Sequence, residues 1–150
     1  MLKKISNYLS KFSPLFPEDV EYIIVHCLQT PAGKEIDVNT VDEWHRQRGF
    51  LCCGYHRIYQ PDGSVQVGRP LSVKGAHAKN YNSRSIGVAY AGGGVTSEVT
   101  DTRTTQQKVT MVYDLMLLKK TFPNATIIGH RDVSAKSCPG FDAEEEYKSL

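Results

Sequence analysis

Short apolar runs divide this chain into predicted strands. The run at 20–28 is β-branched and apolar for most of its length, which is typical of a central strand buried on both faces. The run at 85–90 predicts a further strand, and the run at 125–129 predicts another buried strand. Two shorter strands are predicted at 55–60 and 64–68, on either side of the turn sequence Pro-Asp-Gly. The pattern therefore predicts a sheet with a buried centre.

A short helix is predicted after the first strand. Thr40 and Glu43 have the spacing of a capping box, in which two side chains satisfy free N–H groups at a helix start. The helix then runs over 41–48 and ends at Gly49. Another short helix is predicted over 1–12, as part of a peripheral arm.

The longest predicted helix begins at a second capping box, Thr104 with Gln107, and ends near Thr121. A closing helix over 142–150 is predicted to be capped by Asp142. The stripe of the longest helix that faces the core is expected to hold Val109, Val112, Met116 and Lys119, with Leu115 and Leu118 beside it.

Strands that alternate with helices are typical of an α/β fold. We expect a single domain with a central mixed β-sheet flanked by helices, and a chain of 150 residues is long enough to bury a substantial core. Residues 1–20 are expected to form an N-terminal arm and residues 21–150 the domain itself. The polar segments at 73–84, 95–103 and 130–141 are predicted loops.

Composition and charge exclude several classes of protein. With 40% hydrophobic and 23% charged residues, the chain is not collagen-like, coiled-coil or disordered. No apolar run approaches the ~20 residues that cross a bilayer, so we expect no membrane insertion. The net charge of +2 is too small to indicate a nucleic acid partner. Polar residues interrupt the first apolar stretch before the ~7 residues of a signal peptide, which predicts a cytoplasmic protein.

The chain contains 4 cysteines. An even number suggests disulfides in a small secreted protein. A domain of this size does not depend on cross-links, however, and no export signal is visible, so reduced thiols are expected. Cys27 is interpreted as a small core residue, while Cys52 and Cys53 have no functional interpretation.

Two histidines occur at the ends of the most apolar predicted strands. His26 lies near the end of the first strand, His130 follows the last one directly, and Cys138 comes eight residues later. Open α/β sheets bind ligands at the carboxyl ends of their strands. Two imidazoles and one thiolate can hold a catalytic zinc ion with its fourth position open. Two alternatives remain: the three residues pack separately in the core, or Cys138 is a nucleophile with His130 as its base.

Five runs of residues, in register, resemble a known family. They are Ile24-Val25-His26-Cys27, Gly54-Tyr55-His56, Gly75 to Lys79 with Tyr81-Asn82, Ser85 to Val88, and Gly129 to Asp132 followed by Lys136 to Phe141. Together they make the segment 21–141 similar to the zinc-dependent N-acetylmuramoyl-L-alanine amidases of the type-2 family, which includes the T-odd phage lysozyme and the peptidoglycan recognition proteins. The resemblance implies an amidase that cleaves the bond between N-acetylmuramic acid and L-alanine of peptidoglycan.

The resemblance also implies roles for individual residues. The zinc ligands of the family fall on His26, His130 and Cys138, its catalytic tyrosine falls on Tyr55, and the lysine beside the metal falls on Lys136. Donors placed near a metal-bound carbonyl stabilise the oxyanion that amide hydrolysis forms.

Three more residues of the matched runs receive interpretations. The loop that contains His77 and Asn82 borders the substrate groove in this family, so both are predicted to bind substrate. The alternative for His77 is an exposed loop histidine. His56 is expected to have a structural role, and His45, outside the matched runs, is expected at the surface.

The resemblance predicts a zinc-dependent peptidoglycan hydrolase, either a phage or prophage endolysin or a bacterial autolysin. We expect a monomer that stays in the cytoplasm until it is released to the cell wall. The alternative is a peptidoglycan-binding module of the same fold that does not cleave its ligand. Tyr55, Lys136 and Cys138 argue against that module, and no candidate is found for the glutamate that some relatives place near the metal.

Overall fold

The computed structural model describes residues 11–150, so the helix predicted over 1–12 lies almost wholly outside the described residues. Within them, none of the helices is both long and apolar enough to span a membrane. The strands and α-helices, in chain order, are β1 (Tyr22–Cys27), α1 (Val38–Gln47), β2 (Arg57–Tyr59), β3 (Val65–Val67), β4 (Ser85–Tyr90), α2 (Thr105–Thr121), β5 (Thr126–Gly129) and α3 (Ala143–Tyr147).

The strands form one mixed sheet in the order β3-β2-β4-β1-β5. β1 is parallel to both β4 and β5, β2 is parallel to β4, and only the β2–β3 hairpin is antiparallel. The predicted mixed sheet is therefore confirmed. β1 lies between two neighbours and is buried along almost its whole length, as its largely apolar run predicts.

The two faces of the sheet have different roles. Ile23, Val25 and Cys27 of β1 pack in the main core with α2 and α3. Successive side chains of a strand point to opposite faces, so Ile24 and His26 face the other side. There Ile24 packs against the loop that precedes β4, and His26 contacts polar rings. The functional side chains described below lie on this second face.

Helix α2 shows an error in the sequence interpretation. Its capping box, Thr104 with Gln107, is confirmed, but Val109, Val112 and Met116 are exposed, and the buried side is made by Gln107, Met111, Leu115 and Leu118. The buried amide of Gln107 donates to the carbonyl oxygens of Tyr59 and Ala91 at 3.0 and 2.9 Å. These bonds fix the rotation of a helix that carries apolar residues on both sides.

Helix α1 begins earlier than predicted. Its N-cap is Asp37, whose carboxylate accepts a hydrogen bond from the Asn39 N–H at 2.8 Å. Thr40 lies inside the helix, so the predicted Thr40–Glu43 capping box is wrong. Gly49 follows the helix with a φ of +89°, a conformation that glycine adopts without strain.

The two ends of the described chain pack on the sheet. Leu15 is part of the main core, and its N–H donates to the Ser72 carbonyl at 2.8 Å. Asp142 caps α3 as predicted, accepting from the Glu145 N–H at 3.0 Å. The division into an arm (1–20) and a domain (21–150) stays a prediction.

Candidate metal centre

The structure brings His26, His130 and Cys138 together at the carboxyl ends of β1 and β5. One candidate ligand atom from each of the three side chains lies within 4.8 Å of the other two. The ring centroids of His26 and His130 are 4.4 Å apart. In the parallel pair β1–β5, Val25 is opposite Gly129, so the next residue of each chain segment reaches the same edge of the sheet.

The loop that carries His130 and Cys138 is held at both ends. The Arg131 N–H donates to the Cys138 carbonyl oxygen at 2.7 Å, which joins the start of the loop to its end. The Tyr90 hydroxyl, at the end of β4, donates to the Pro139 carbonyl oxygen at 2.7 Å. The loop therefore presents His130 and Cys138 at fixed positions beside β1.

Cys27 touches Cys138, a contact that the sequence did not indicate. The Cys27 N–H donates to the Cys138 sulfur at 3.2 Å, and the two Sγ atoms are 3.8 Å apart. The predicted core packing of Cys27 is confirmed, and all four cysteines are free thiols, as expected. The Cys27 thiol and burial raise the pKa of Cys138 above its usual range, and the Cys27 N–H offsets this only in part. Cys138 is therefore a thiol in the absence of a metal ion, and metal binding would replace its proton.

Burial keeps both histidines of the cluster neutral. Burial, followed by the repulsion that protonated His77 and His130 and the Lys136 ammonium would exert on an imidazolium, lowers the pKa of His26 well below its usual 6.5. Burial, followed by Lys136, also lowers the pKa of His130. Because desolvation disfavours the imidazolium form, each ring retains a lone pair for a metal ion at neutral pH.

Tyr55 lies beside the cluster, in the segment that leads into β2. Its ring centroid is 5.1 Å from that of His26. The Arg69 N–H donates to the Tyr55 carbonyl oxygen at 2.8 Å, which fixes the backbone at this point. Burial raises the pKa of Tyr55 well above its usual 10, so the phenol keeps its proton and remains a hydrogen-bond donor.

A groove of about 600 Å³ opens over the cluster. Its lining includes Tyr55 and three cations, Arg48, Lys79 and Lys136, and none of its described lining residues is acidic. Lys136 is exposed in the loop two residues before Cys138. The groove therefore combines a potential metal site with a cationic lining.

His77 and Asn82 lie in the wall of this groove. The Asn82 side-chain oxygen accepts hydrogen bonds from the N–H groups of His77 and Ala78 at 2.9 and 3.0 Å, which folds the loop on itself. The His77 ring packs against His26, with His77 Nδ1 2.9 Å from His26 Nε2. The alternative of an exposed loop histidine is therefore wrong, while substrate binding by His77 and Asn82 stays a prediction.

Comparison with known proteins identifies the family of this chain. Residues 16–141 match the family model described as N-acetylmuramoyl-L-alanine amidase. The endolysin of Enterobacteria phage K11 is 35% identical over 133 residues, which cover 88% of each chain. The chain belongs to the N-acetylmuramoyl-L-alanine amidase family.

Two solved structures have a fold similar to that of this amidase. The N-acetylmuramoyl-L-alanine amidase LysC from Clostridium intestinale is 30% identical and superposes with a TM-score of 0.74, over 91% of this chain and 89% of its own. A mutant of Drosophila PGRP-LB in complex with tracheal cytotoxin is 26% identical, with a TM-score of 0.71, over 93% of this chain and 83% of its own. The predicted amidase fold is confirmed.

The two remaining histidines of the amidase, His45 and His56, are both buried. The predicted surface position of His45 is wrong: its Nδ1 accepts the Gly54 N–H at 2.7 Å, and its ring lies 5.4 Å from that of Tyr55. His45 follows Val41 by four residues on α1, and this helical spacing was the available signal. His56 has the expected structural place, accepting the Gly87 N–H at 3.0 Å and contacting the Val73 carbonyl at 2.9 Å.

Proposed function

We propose that this amidase depends on zinc held by His26, His130 and Cys138. The observation that carries the proposal is the approach of three ligand atoms within 4.8 Å of one another in the floor of the groove. Two neutral imidazoles and a thiol that receives an N–H are a donor set that suits zinc, and three protein ligands leave a fourth position open for water or substrate. The residues present therefore fit a catalytic zinc ion.

The reaction is hydrolysis of the amide between the lactyl group of N-acetylmuramic acid and L-alanine. A zinc ion held by His26, His130 and Cys138 would supply Lewis-acid chemistry, which would activate water as the nucleophile and polarise the carbonyl group. The Tyr55 phenol, which stays protonated, donates a hydrogen bond to the carbonyl oxygen as negative charge develops there. Lys136, in the same loop as Cys138, places its positive charge near that oxygen.

The groove is the proposed binding site for the muramoyl peptide of peptidoglycan. A stem peptide carries free carboxylates, which suit a groove lined by Arg48, Lys79 and Lys136 and by no described acidic residue. The PGRP-LB relative was solved in complex with tracheal cytotoxin, so a protein of this fold binds a ligand of that kind. We place His77 and Asn82 at the edge of this site and propose that the enzyme acts as a monomer.

The relatives also support a biological role. The endolysins of phages K11 and T7 are each 35% identical to this chain, over 88% and 83% of its length. We therefore favour an endolysin over a bacterial autolysin as the role of this protein. It would be held in the cytoplasm and would act on the wall after its release.

Mass spectrometry of fragments released from purified cell walls tests the proposal. The expected products are free stem peptides that begin at L-alanine and glycan strands that keep the lactyl group. A chelator should stop their release, and added zinc should restore it. Release that resists the chelator but is lost on thiol alkylation would favour Cys138 as a nucleophile, and binding to walls without release would favour a non-hydrolytic module.

A further inference from the structure

A chain of hydrogen bonds runs from His26 away from the proposed zinc site. His26 Nε2 lies 2.9 Å from His77 Nδ1, and His77 Nε2 lies 3.3 Å from the Ser85 hydroxyl oxygen. The Ser85 hydroxyl in turn lies 2.7 Å from the Tyr81 carbonyl oxygen. Two imidazole rings, one hydroxyl and one carbonyl are thus connected in series.

The last bond of the chain sets the direction of all the others. A carbonyl oxygen can only accept, so the single proton of the Ser85 hydroxyl goes to Tyr81. The Ser85 oxygen must then accept from His77, which places the His77 proton on Nε2. His77 Nδ1 is left as an acceptor, and it receives the proton that His26 carries on Nε2. A neutral His26 with its proton on Nε2 has its free lone pair on Nδ1.

The reverse direction leaves the Tyr81 carbonyl without the Ser85 proton and has further consequences. Ser85 would donate to His77 Nε2, His77 would donate from Nδ1, and His26 would accept on Nε2. His26 would then carry its proton on Nδ1 and could not bind a metal through either nitrogen while the chain was intact. The short Ser85–Tyr81 contact therefore selects the direction that supports metal binding.

The His77 ring is held closely enough to act as a fixed acceptor. A Cβ atom placed on Gly87 would lie 2.4 Å from His77 Cγ, and one on Gly75 would lie 2.6 Å from His77 Cδ2. The ring therefore packs directly against two glycines, at positions where any larger residue would displace it. Asn82 fixes the backbone of the same loop through the His77 N–H.

We propose that His77 is a positioning residue, which acts with Ser85 to hold His26 as the tautomer that presents Nδ1 to the metal. This inference rests on the proposed function, because it assumes that His26 is a zinc ligand. It gives His77 a role in preparing the site that is separate from the predicted contact with substrate. Groups that orient metal-bound histidines commonly affect metal affinity by about 10–100-fold.

The tautomers can be read directly by long-range ¹H–¹⁵N NMR of the imidazole rings in the metal-free protein. In the wild type, His26 and His77 should each carry the proton on Nε2. In His77→Ala, His26 should become a mixture of tautomers, and the dissociation constant for zinc should rise about 10–100-fold. His77→Asn provides a carboxamide oxygen near the position of Nδ1, so it should recover most of the zinc affinity.

Two further variants complete the experiment: one is a matched control, and the other replaces His77→Ala if that variant does not fold. His56→Asn removes a neighbouring buried imidazole that does not bond to His26, so the His26 tautomer and the zinc affinity should remain those of the wild type. If His77→Ala does not fold, Ser85→Ala provides the test, because it removes the acceptor for His77 Nε2 and should leave His77 as a mixture of tautomers.

The outcomes separate this inference from the proposed function. A wild-type His26 protonated on Nδ1, or a folded His77→Ala that binds zinc as tightly as the wild type, would overturn the role of His77. A wild-type protein with the expected tautomers that binds no zinc would instead overturn the proposed zinc site, because the NMR result does not depend on metal.

Discussion

Gly87 on β4 offers a way to move His77 without changing any functional side chain. Its φ lies outside the left-handed region, so alanine can adopt the same backbone conformation. The added Cβ, however, would lie 2.4, 2.5 and 2.6 Å from His77 Cγ, Cδ2 and Nδ1. Gly87→Ala therefore pushes directly on the ring that contacts His26.

The size of the effect follows from these distances. Carbon atoms in contact are normally about 3.5–4.0 Å apart, so the His77 ring must move by roughly 1 Å. The hydrogen bond of 2.9 Å between His77 and His26 tolerates little displacement, because a separation that grows by about 1 Å lies beyond the hydrogen-bond range. We expect overpacking to cost about 1–3 kcal/mol of unfolding free energy, and zinc affinity to fall about 10–100-fold.

Zinc competition titration and denaturant unfolding of the same preparations measure the two effects. Gly33→Ala is the matched control: Gly33 has a φ of +70° and open space around its Cβ position, so alanine there costs about 1–2 kcal/mol through backbone strain. It should bind zinc normally. Wild-type zinc affinity in a destabilised Gly87→Ala would refute the link between the His77 position and the metal site.

Three further predictions concern the reaction, the pH dependence of stability and the core. Tyr55→Phe and Lys136→Ala should keep zinc and fold but lose about 10²–10³ in the rate of muropeptide release; wild-type rates would remove either residue from the mechanism. Burial lowers the pKa of His56 to about 4, so unfolding free energy should fall by up to about 3 kcal/mol as the pH drops from about 6.5 to about 4. Chemical denaturation of His56→Asn should show a shallower fall, and an unchanged one would contradict the assignment. Leu115→Ala should cost about 2–5 kcal/mol, whereas Leu117→Ala should stay within about 0.5 kcal/mol; equal losses would contradict the observed orientation of α2.

The strands and the residues of the site could be predicted because their signals are local. The apolar runs of β1, β4 and β5 correspond to buried strands, and polar residues at the ends of neighbouring parallel strands must meet at one edge of the sheet. The parallel pairing of β1 with β5 is sufficient to bring His26 and His130 together. The remaining roles came from the resemblance to a family, since Tyr55 and Lys136 carry no distinctive pattern of their own.

The errors have a common physical cause. The rotation of α2 depends on the Gln107 amide bonding to two strand carbonyls, and the helix has apolar residues on both sides, so periodicity could not choose between them. The buried position of His45 depends on the Gly54 N–H, which lies outside the helix that carries His45 and which no helical pattern reveals. The burial of the His77 ring could not be predicted from its loop, because Ser85 and Gly87, which contact the ring, lie on a strand. In each case, a tertiary contact decided the position.

The zinc content of Cys138→Ser, measured by equilibrium dialysis beside the wild type, is the decisive test of the proposed zinc site. A site formed by His26, His130 and Cys138 predicts about one zinc ion per wild-type chain. It also predicts a clear loss of occupancy in the variant at the same free zinc concentration, with the fold retained by circular dichroism. Full zinc occupancy in folded Cys138→Ser would contradict the proposed His26, His130 and Cys138 site.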